Sequence, residues 1–183
     1  YSPLDTYHMA MCAVDEAVRA HVACGGDPDR MTALDNFCWP DPIAAPDNPD
    51  GEHKLAQLVR AARGLADACR AYRLPLISGK DSMKNDALVE GRKISVLPTL
   101  LVSVMGIVPD VEQICGTDFL DAGHRIWVVG EDRRQLGGSS YARMMGTHLA
   151  SVPTVEPETS LLLYRGLHRA LQRGLLRSIH DLA

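Results

Sequence analysis

Residues 55–78, LAQLVRAARGLADACRAYRLPLIS, show how this chain alternates between helix and strand. Apolar residues recur there at the 3.6-residue period with arginines on the opposite face, which predicts an amphipathic helix. The apolar run LPLIS that ends the stretch predicts a short buried strand. The residues of the predicted apolar stripe are Leu55, Leu58, Val59, Ala62, Leu65, Ala66, Cys69 and Tyr72.

Similar patterns extend towards both ends of the chain. Residues 7–24 predict a helix that a pair of glycines ends. Residues 31–37, MTALDNF, predict a strand, and the proline-rich residues 40–51 predict a loop. Residues 99–108, TLLVSVMGIV, form a continuous apolar run that is typical of a strand buried on both faces.

We place a domain boundary near residue 117. Beyond it, residues 125–130, RIWVVG, and residues 175–183 predict strands. Helices are predicted from about Tyr141 and from Ser160 to Arg173. Alternating strands and helices place the chain in the α/β or α+β class.

The composition is that of an ordinary globular protein: 183 residues, 46% hydrophobic and 23% charged. A formal net charge of −4 gives no reason to expect nucleic-acid binding. No apolar run approaches the roughly 18 residues needed to span a membrane, and no signal peptide is visible. The 5 cysteines are scattered without a CxxC pair, which predicts a reduced, cytoplasmic setting rather than a disulfide framework.

The stretch SGKDS, residues 78–82, predicts a polar loop after the strand LPLIS. Gly79 lets backbone N–H groups approach an anion, and Lys80 supplies positive charge for a phosphate. Asp81 can bind a hard cation such as magnesium, and the hydroxyl of Ser82 can bond phosphate oxygens. The spacing of a Walker A loop is absent. A polar turn between strands remains the alternative interpretation.

Other candidate residues carry weaker signals. Asp35 and Asn36 lie near a predicted strand end, where ligands collect in open α/β sheets, although they also suit a simple turn. Glu16 belongs to the charged face of a predicted helix, and exposure of that face to solvent is enough to explain its charged residues. Residues 136–140, LGGSS, suit either a backbone nest for an anion or a tight turn, with Gly137, Gly138 and Ser139 as the candidates. The adjacent pair His180-Asp181 does not by itself indicate a functional site, because such a site needs a third partner.

Two classes of function fit these residues. One is a magnesium-dependent nucleotide enzyme, and the other is a module that binds a phosphorylated ligand without chemistry of its own. The strand predicted at the C-terminus ends on His-Asp, where a functional turn normally follows. We therefore expect a fragment of a longer enzyme.

Several motifs in order along the chain resemble those of the phosphoribosylformylglycinamidine synthase family. They are YHMAMCAVDEAVR, GGDPDRMTALDNFCWPDP, PLISGKDSMKND, LPTLLVSVMGIVPDV, LGGSSY and HDLA, and together they cover almost the whole chain. The resemblance implies the aminoimidazole ribonucleotide (AIR) synthase-like fold, with a mixed sheet packed by helices and the start of a second α/β domain. Residues 1–117 would then be the second copy of the family's N-terminal-type domain, truncated at its N-terminus, and residues 118–183 a truncated C-terminal-type domain, both within the second half of the synthetase.

The resemblance also implies an activity. The family uses ATP to phosphorylate the amide oxygen of formylglycinamide ribonucleotide, and ammonia from glutamine then displaces the phosphate. The alternatives are another ATP-dependent enzyme with the AIR synthase-like fold and a non-catalytic, dimerising nucleotide-binding module. Magnesium and ATP are the implied cofactors, and the implied partners are a glutaminase domain or subunit and the first half of the same synthetase. The family's catalytic histidine lies in that first half, so no residue of this chain is assigned a catalytic role and the chain alone is expected to be inactive.

Individual roles follow from matched positions in the family. Gly79 matches an ATP contact and Ser82 a substrate contact, whereas Lys80 replaces a metal-binding asparagine. The resemblance therefore assigns Lys80 to phosphate and offers Asp81 as the metal ligand.

Glu16 and Asp181 match magnesium ligands of a second nucleotide site in long, single-chain synthetases. That second site departs from the family pattern at Ala20 and Ala183, and the family's early ATP-binding aspartate falls on Ala33. Asp35 and Asn36 are carried over only as neighbours of the site.

The superfamily's sheets commonly pair with a second sheet. Residues 99–108 or a neighbouring strand would then form a homodimer by covering an open edge.

Overall fold

The structure is a computed structural model that describes residues 1–131, 133, 135–147 and 151–182. Two helices cover one face of a three-stranded sheet: α1 (Thr6–Ala23) and α2 (Gly51–Tyr72). The sheet contains β1 (Met31–Cys38), β2 (Leu76–Ser82) and β5 (Thr99–Gly106). A hairpin of β3 (Asp86–Val89) and β4 (Arg92–Ser95) connects β2 to β5. Two further helices follow, α3 (Ser140–Met144) and α4 (Pro157–Gln172).

The sheet is mixed, as predicted. Its order is β2-β1-β5, in which β1 runs parallel to β2 and antiparallel to β5. The side chains of Ala33, Phe37 and Leu100 lie in the core under the helices. Since β1 is the only central strand of this sheet, it fixes the register of both neighbours.

The start of α1 is set by Asp5, whose side chain accepts hydrogen bonds from the backbone N–H groups of Tyr7 and His8 at 2.9 and 3.1 Å. Such a cap satisfies donors that the first turn of a helix leaves free. Helix α2 ends at Tyr72, and the next residue, Arg73, adopts the left-handed conformation. The caps therefore bound both long helices close to the predicted positions.

The buried face of α2 differs from the predicted stripe. Ala61, Leu65, Ala68 and Tyr72 are buried, whereas Leu55 and Val59 are 47% and 43% exposed. Gly64 lies against the backbone carbonyl of Tyr7 on α1, in a space that a Cβ would fill. This close approach sets the face of α2 that turns inward, and the apolar period alone did not reveal it.

Four segments differ from their predicted form. SGKDS is part of strand β2 rather than a loop, because its backbone pairs with β1. Residues 99–106 form the predicted strand β5, but only the face carrying Leu100 turns to the core, since no second layer of the described residues covers the other face. The described parts of residues 125–130 and 175–183 are not strands, because no neighbouring strand pairs with them.

The helix predicted from Tyr141 is the short α3, and the helix predicted from Ser160 is confirmed as α4. Among the described residues, none of the helices combines the length and apolar character required to cross a membrane.

The close approach at Gly64 yields a testable prediction. Gly64→Ala should lower the free energy of unfolding by about 1–3 kcal/mol, because the added methyl group meets backbone that cannot move aside. The measurement is the urea unfolding midpoint.

Gly166 on α4 is the matched control, since a Cβ there meets nothing within 4 Å. Gly166→Ala should raise stability by up to about 1 kcal/mol through helix propensity. Equal shifts of the two midpoints in the same direction would contradict the role of Gly64.

Candidate functional site

The candidate site lies where β1 and β2 run side by side. Asp35 pairs with Gly79, Asn36 with Lys80, and Cys38 with Ser82. The sequence placed Asp35 and Asn36 at a strand end, but both lie within β1, which continues to Cys38. The parallel pairing therefore brings together two motifs that are about 45 residues apart in the chain.

Successive residues of β2 face opposite sides of the sheet, so the SGKDS motif is divided between them. Lys80 and Ser82 share the outer face, which the helices do not cover, and the Lys80 Nζ donates a hydrogen bond to the Ser82 Oγ at 3.0 Å. Gly79 and Asp81 belong to the other face, together with Asp35. A single ligand therefore meets either the Lys80 face or the Asp81 face directly.

The outer face carries an open depression of about 230 Å³. Among the described residues, Lys80 is the only cationic side chain that lines it, and serine hydroxyls and an asparagine amide surround this lysine. The sequence had not indicated Leu34, Leu101 and Ser103, and Ser78 was included only as the first residue of SGKDS. Two-residue alternation around Asn36 would have found Leu34. The lining residues are Leu34, Asp35, Asn36, Ser78, Gly79, Lys80, Leu101 and Ser103.

Asp35 and Gly79 fit closely against each other. A Cβ at Gly79 would lie 2.6 Å from the Asp35 Oδ1, so only glycine leaves the carboxylate its place. Burial raises the pKa of Asp35, and the negative charge of Asp81 raises it further. Burial, with a contribution from Asp35, also raises the pKa of the nearby Cys69 thiol to about 11, which makes this thiol a poor nucleophile at neutral pH.

A second group of candidates gathers along α1. Gly138, from the LGGSS segment, lies against Tyr1, where a Cβ would be 3.1 Å from the ring. Burial raises the pKa of Tyr1, with further contributions from Cys12 and Glu16. Glu16 and Gly138 thus both lie near Tyr1.

Asp181 lies close to the same face of α1. Burial lowers the pKa of Arg19. Asp15, followed by Tyr164 and Asp181, has the opposite and larger combined effect, so the pKa of Arg19 is raised. Asp181 is also 3.4 Å from the His180 Nδ1. Ala183, which like Ala20 departs from the family pattern of the second nucleotide site, lies outside the described residues.

The candidate carboxylates lie in two separate regions, Asp35 and Asp81 on β1 and β2 and Glu16 and Asp181 near α1. In the described part of the chain, no three His, Cys, Asp or Glu side chains converge to hold a metal ion. Magnesium, however, is commonly held by one or two carboxylates together with substrate phosphates. Asp35 and Asp81 fit that pattern as a pair of oxygen ligands.

A family model described as "AIR synthase related protein, N-terminal domain" matches residues 1–108. The chain belongs to this family. It is 34% identical over 179 residues to the phosphoribosylformylglycinamidine synthase subunit PurL of Anaeromyxobacter sp. (strain K), covering 97% of this chain and 22% of that protein. The corresponding subunit of Gloeobacter violaceus is 32% identical over 184 residues, which cover 100% of this chain and 23% of the relative.

A solved structure shares the fold. T. maritima PurL complexed with FGAR matches with a TM-score of 0.61 at 18% identity, over 99% of this chain and 27% of that chain. The resemblance expected from the motifs and the AIR synthase-like fold are therefore confirmed. The chain spans only about a fifth to a quarter of the length of these relatives.

The pairing of Asp35 with Asp81 yields a second prediction. Asp81→Asn should lower the pKa of Asp35 towards its ordinary value, but only in part, because burial is the larger cause. Since a raised pKa marks a carboxylate that is costly to ionise, the variant should also gain stability above the pKa of Asp35. Carboxyl-carbon NMR titration measures the shift.

Asp47→Asn, on the exposed loop before α2, is the control and should leave the titration of Asp35 unchanged. An unaltered Asp35 titration in Asp81→Asn would show that the two carboxylates do not interact.

Proposed function

We propose that this chain is part of a phosphoribosylformylglycinamidine synthase, an ATP-dependent carbon–nitrogen ligase of purine biosynthesis. Relatives with that name match 97–100% of the chain at 32–34% identity. In the proposed reaction, ATP phosphorylates the amide oxygen of formylglycinamide ribonucleotide. Ammonia then attacks the carbon that carries this oxygen, and the oxygen leaves with the phosphate. Phosphorylation is needed because an amide oxygen is otherwise a poor leaving group.

The observation that carries this proposal is the shared outer face of Lys80 and Ser82. Their 3.0 Å hydrogen bond places an ammonium and a hydroxyl side by side on this face, and Lys80 also lines the depression. Such donors offset the negative charge of a phosphoryl group. Formylglycinamide ribonucleotide is the proposed ligand because a relative of the same fold was solved with FGAR.

ATP and Mg²⁺ are the proposed cofactors. Asp81, with Asp35 beside it, would hold the metal at the β2 site, and Gly79 would let ATP approach the backbone. Glu16 and Asp181 would hold a metal at the second site, with Gly137, Gly138 and Ser139 near its nucleotide. When bound, Mg²⁺ would neutralise charge on phosphates that lie on its own side of the sheet, whereas Lys80 and Ser82 would hold phosphate on the opposite side.

The rest of the enzyme would supply what this chain does not. A glutaminase domain or subunit would provide ammonia, and the first half of the synthetase would provide the catalytic histidine. We also propose that residues 1–117 and 118–183 belong to two different domains. The family match to residues 1–108 is compatible with this division.

The proposal predicts ligand binding that depends on Lys80. Titration of the chain with Mg-ATP and with formylglycinamide ribonucleotide by calorimetry should give heat for at least one ligand. Lys80→Met should weaken that binding by about tenfold or more, since it removes a charge-assisted hydrogen bond worth about 1.5–3 kcal/mol.

Arg63→Met is the matched control, because it removes an exposed cation from α2, on the helix side of the sheet. Its affinity should equal that of the unchanged chain. If neither ligand gives heat, the proposal of a ligand-binding site fails.

A second candidate function is a structural module that pairs through its sheet. Leu101 and Met105 on the outer face of β5 are 59% and 55% exposed. Side chains of this kind, exposed on a strand at the sheet edge, favour association with another sheet. We therefore propose that the chain forms a homodimer through this face.

The homodimer predicts a mass that depends on Leu101. Light scattering at high protein concentration should give twice the chain mass, and Leu101→Glu should reduce it to that of a monomer by burying a charge. Leu162→Glu is the control, since Leu162 is 67% exposed on α4. A monomeric mass for the unchanged chain would count against sheet pairing.

A further inference from the structure

Asn85 joins the ends of the two strands that carry the candidate site. Its side-chain Nδ2 donates hydrogen bonds to the carbonyl oxygen of Ser82 at 2.7 Å and to that of Trp39 at 3.2 Å. Ser82 is the last residue of β2, and Trp39 directly follows the last residue of β1. Because both partners are carbonyl oxygens, the side chain must donate twice, which an amide NH₂ group can do and a carboxylate cannot.

Backbone hydrogen bonds complete this strand-end junction of Trp39, Ser82 and Asn85. The Trp39 N–H donates to the Ser82 carbonyl at 2.8 Å, and the Asn85 N–H donates to the Trp39 carbonyl at 3.0 Å. The Asn85 carbonyl accepts a hydrogen bond at 3.1 Å from the N–H of Val96, which follows β4. Asn85 therefore connects the ends of β1 and β2 with both ends of the β3–β4 hairpin.

Trp39 gives the strand-end junction a fixed anchor. Its side chain is 0% exposed, and its indole Nε1 donates a hydrogen bond to the carbonyl oxygen of Lys54 on α2 at 2.9 Å. The indole also packs edge-on against the ring of Phe37, with the ring centroids 5.8 Å apart. The amide of Asn85 thus ties Ser82 to a residue that the core holds in place.

The backbone between Ser82 and Asn85 is strained. Lys84 adopts the left-handed conformation with a φ of 59°, which residues other than glycine seldom adopt. Such a conformation persists only where the surrounding contacts determine it. The hydrogen bonds of the half-buried Asn85 are contacts of this kind, and they lie directly beside the strained residue.

We propose that Asn85 is a positioning residue of the candidate site, an inference that rests on the proposed function in which Lys80 and Ser82 bind a phosphoryl group. By fixing the Ser82 carbonyl, Asn85 fixes the backbone that carries the Ser82 hydroxyl. This hydroxyl accepts the 3.0 Å hydrogen bond from the Lys80 Nζ, so the ammonium is oriented by the same backbone. Asn85 is not one of the residues that line the depression, and it therefore acts through Ser82.

Calorimetry with Mg-ATP and with formylglycinamide ribonucleotide tests the effect on ligand binding. Asn85→Leu keeps the approximate size of the side chain, adds no charge and removes both donated hydrogen bonds. Affinity for the ligand that the unchanged chain binds should fall about tenfold or more, because a displacement of about 1 Å at a positioned group is costly. Asn85→Ala should have the same effect and replaces Asn85→Leu if that variant does not fold.

Thr6→Val is the matched control for a general loss of stability. The buried Thr6 hydroxyl donates a hydrogen bond to the Gln57 carbonyl at 2.7 Å, on the helix side of the sheet, and valine has the same shape without this donor. Thr6→Val should lower the urea unfolding midpoint, as Asn85→Leu does, but leave ligand affinity unchanged. An equal loss of affinity in both variants would overturn the positioning role of Asn85.

Hydrogen exchange of the Trp39 amide tests the strand-end junction without a ligand. This amide donates to the Ser82 carbonyl, so in Asn85→Leu its protection should fall about threefold or more relative to the α2 amides. Unchanged Trp39 protection overturns the positioning role. If the unchanged chain gives no heat with either ligand, the proposed function fails and the ligand role of Asn85 fails with it. If the unchanged chain binds and Asn85→Leu binds equally well, only the role of Asn85 fails.

Discussion

A single buried carboxylate connects the three long helices. Asp15 on α1 is 2% exposed and accepts hydrogen bonds from the hydroxyls of Tyr72 on α2 and Tyr164 on α4, the latter at 2.7 Å. Arg19 lies 2.5 Å from its other oxygen. Burial, followed by the charge of Asp15, raises the pKa of both tyrosines, so they remain hydrogen-bond donors. Removing one partner from such a buried charge commonly costs about 3–5 kcal/mol.

This arrangement determines which face of the sheet remains accessible. Because Asp15 draws α2 and α4 against α1, the helical layer lies entirely on the side of Phe37 and Leu100. The opposite face, with Lys80 and Leu101, is left open. The same buried charge therefore stabilises the fold and leaves the candidate ligand face exposed, although it contacts no ligand residue itself.

The sequence correctly predicted the long helices, which are stabilised by neighbouring residues. It failed for segments whose conformation depends on pairing with another strand. Helices α1, α2 and α4 follow from the pattern of their own neighbouring residues, above all the apolar period. A strand requires a second strand, so the apolar run RIWVVG was wrongly predicted as one. Conversely, the polar sequence SGKDS predicts a loop, whereas its pairing with β1 makes it an edge strand, which needs no apolar residues.

The sequence predicted which residues belong to the candidate site but not how they are arranged in space. SGKDS and DN were recognised, yet only the strand register reveals that Lys80 and Asp81 face opposite sides. Gly79 likewise has a second reason to be glycine, since the Asp35 carboxylate fills the space of its missing side chain. Lys80 and Ser82 are therefore among the donors on the open face, together with Asn36 and the serines of the depression. The exposed hydrogen bond between Lys80 and Ser82 contributes little to stability, so exchanging it for a phosphate oxygen costs little and gains a charge-assisted bond.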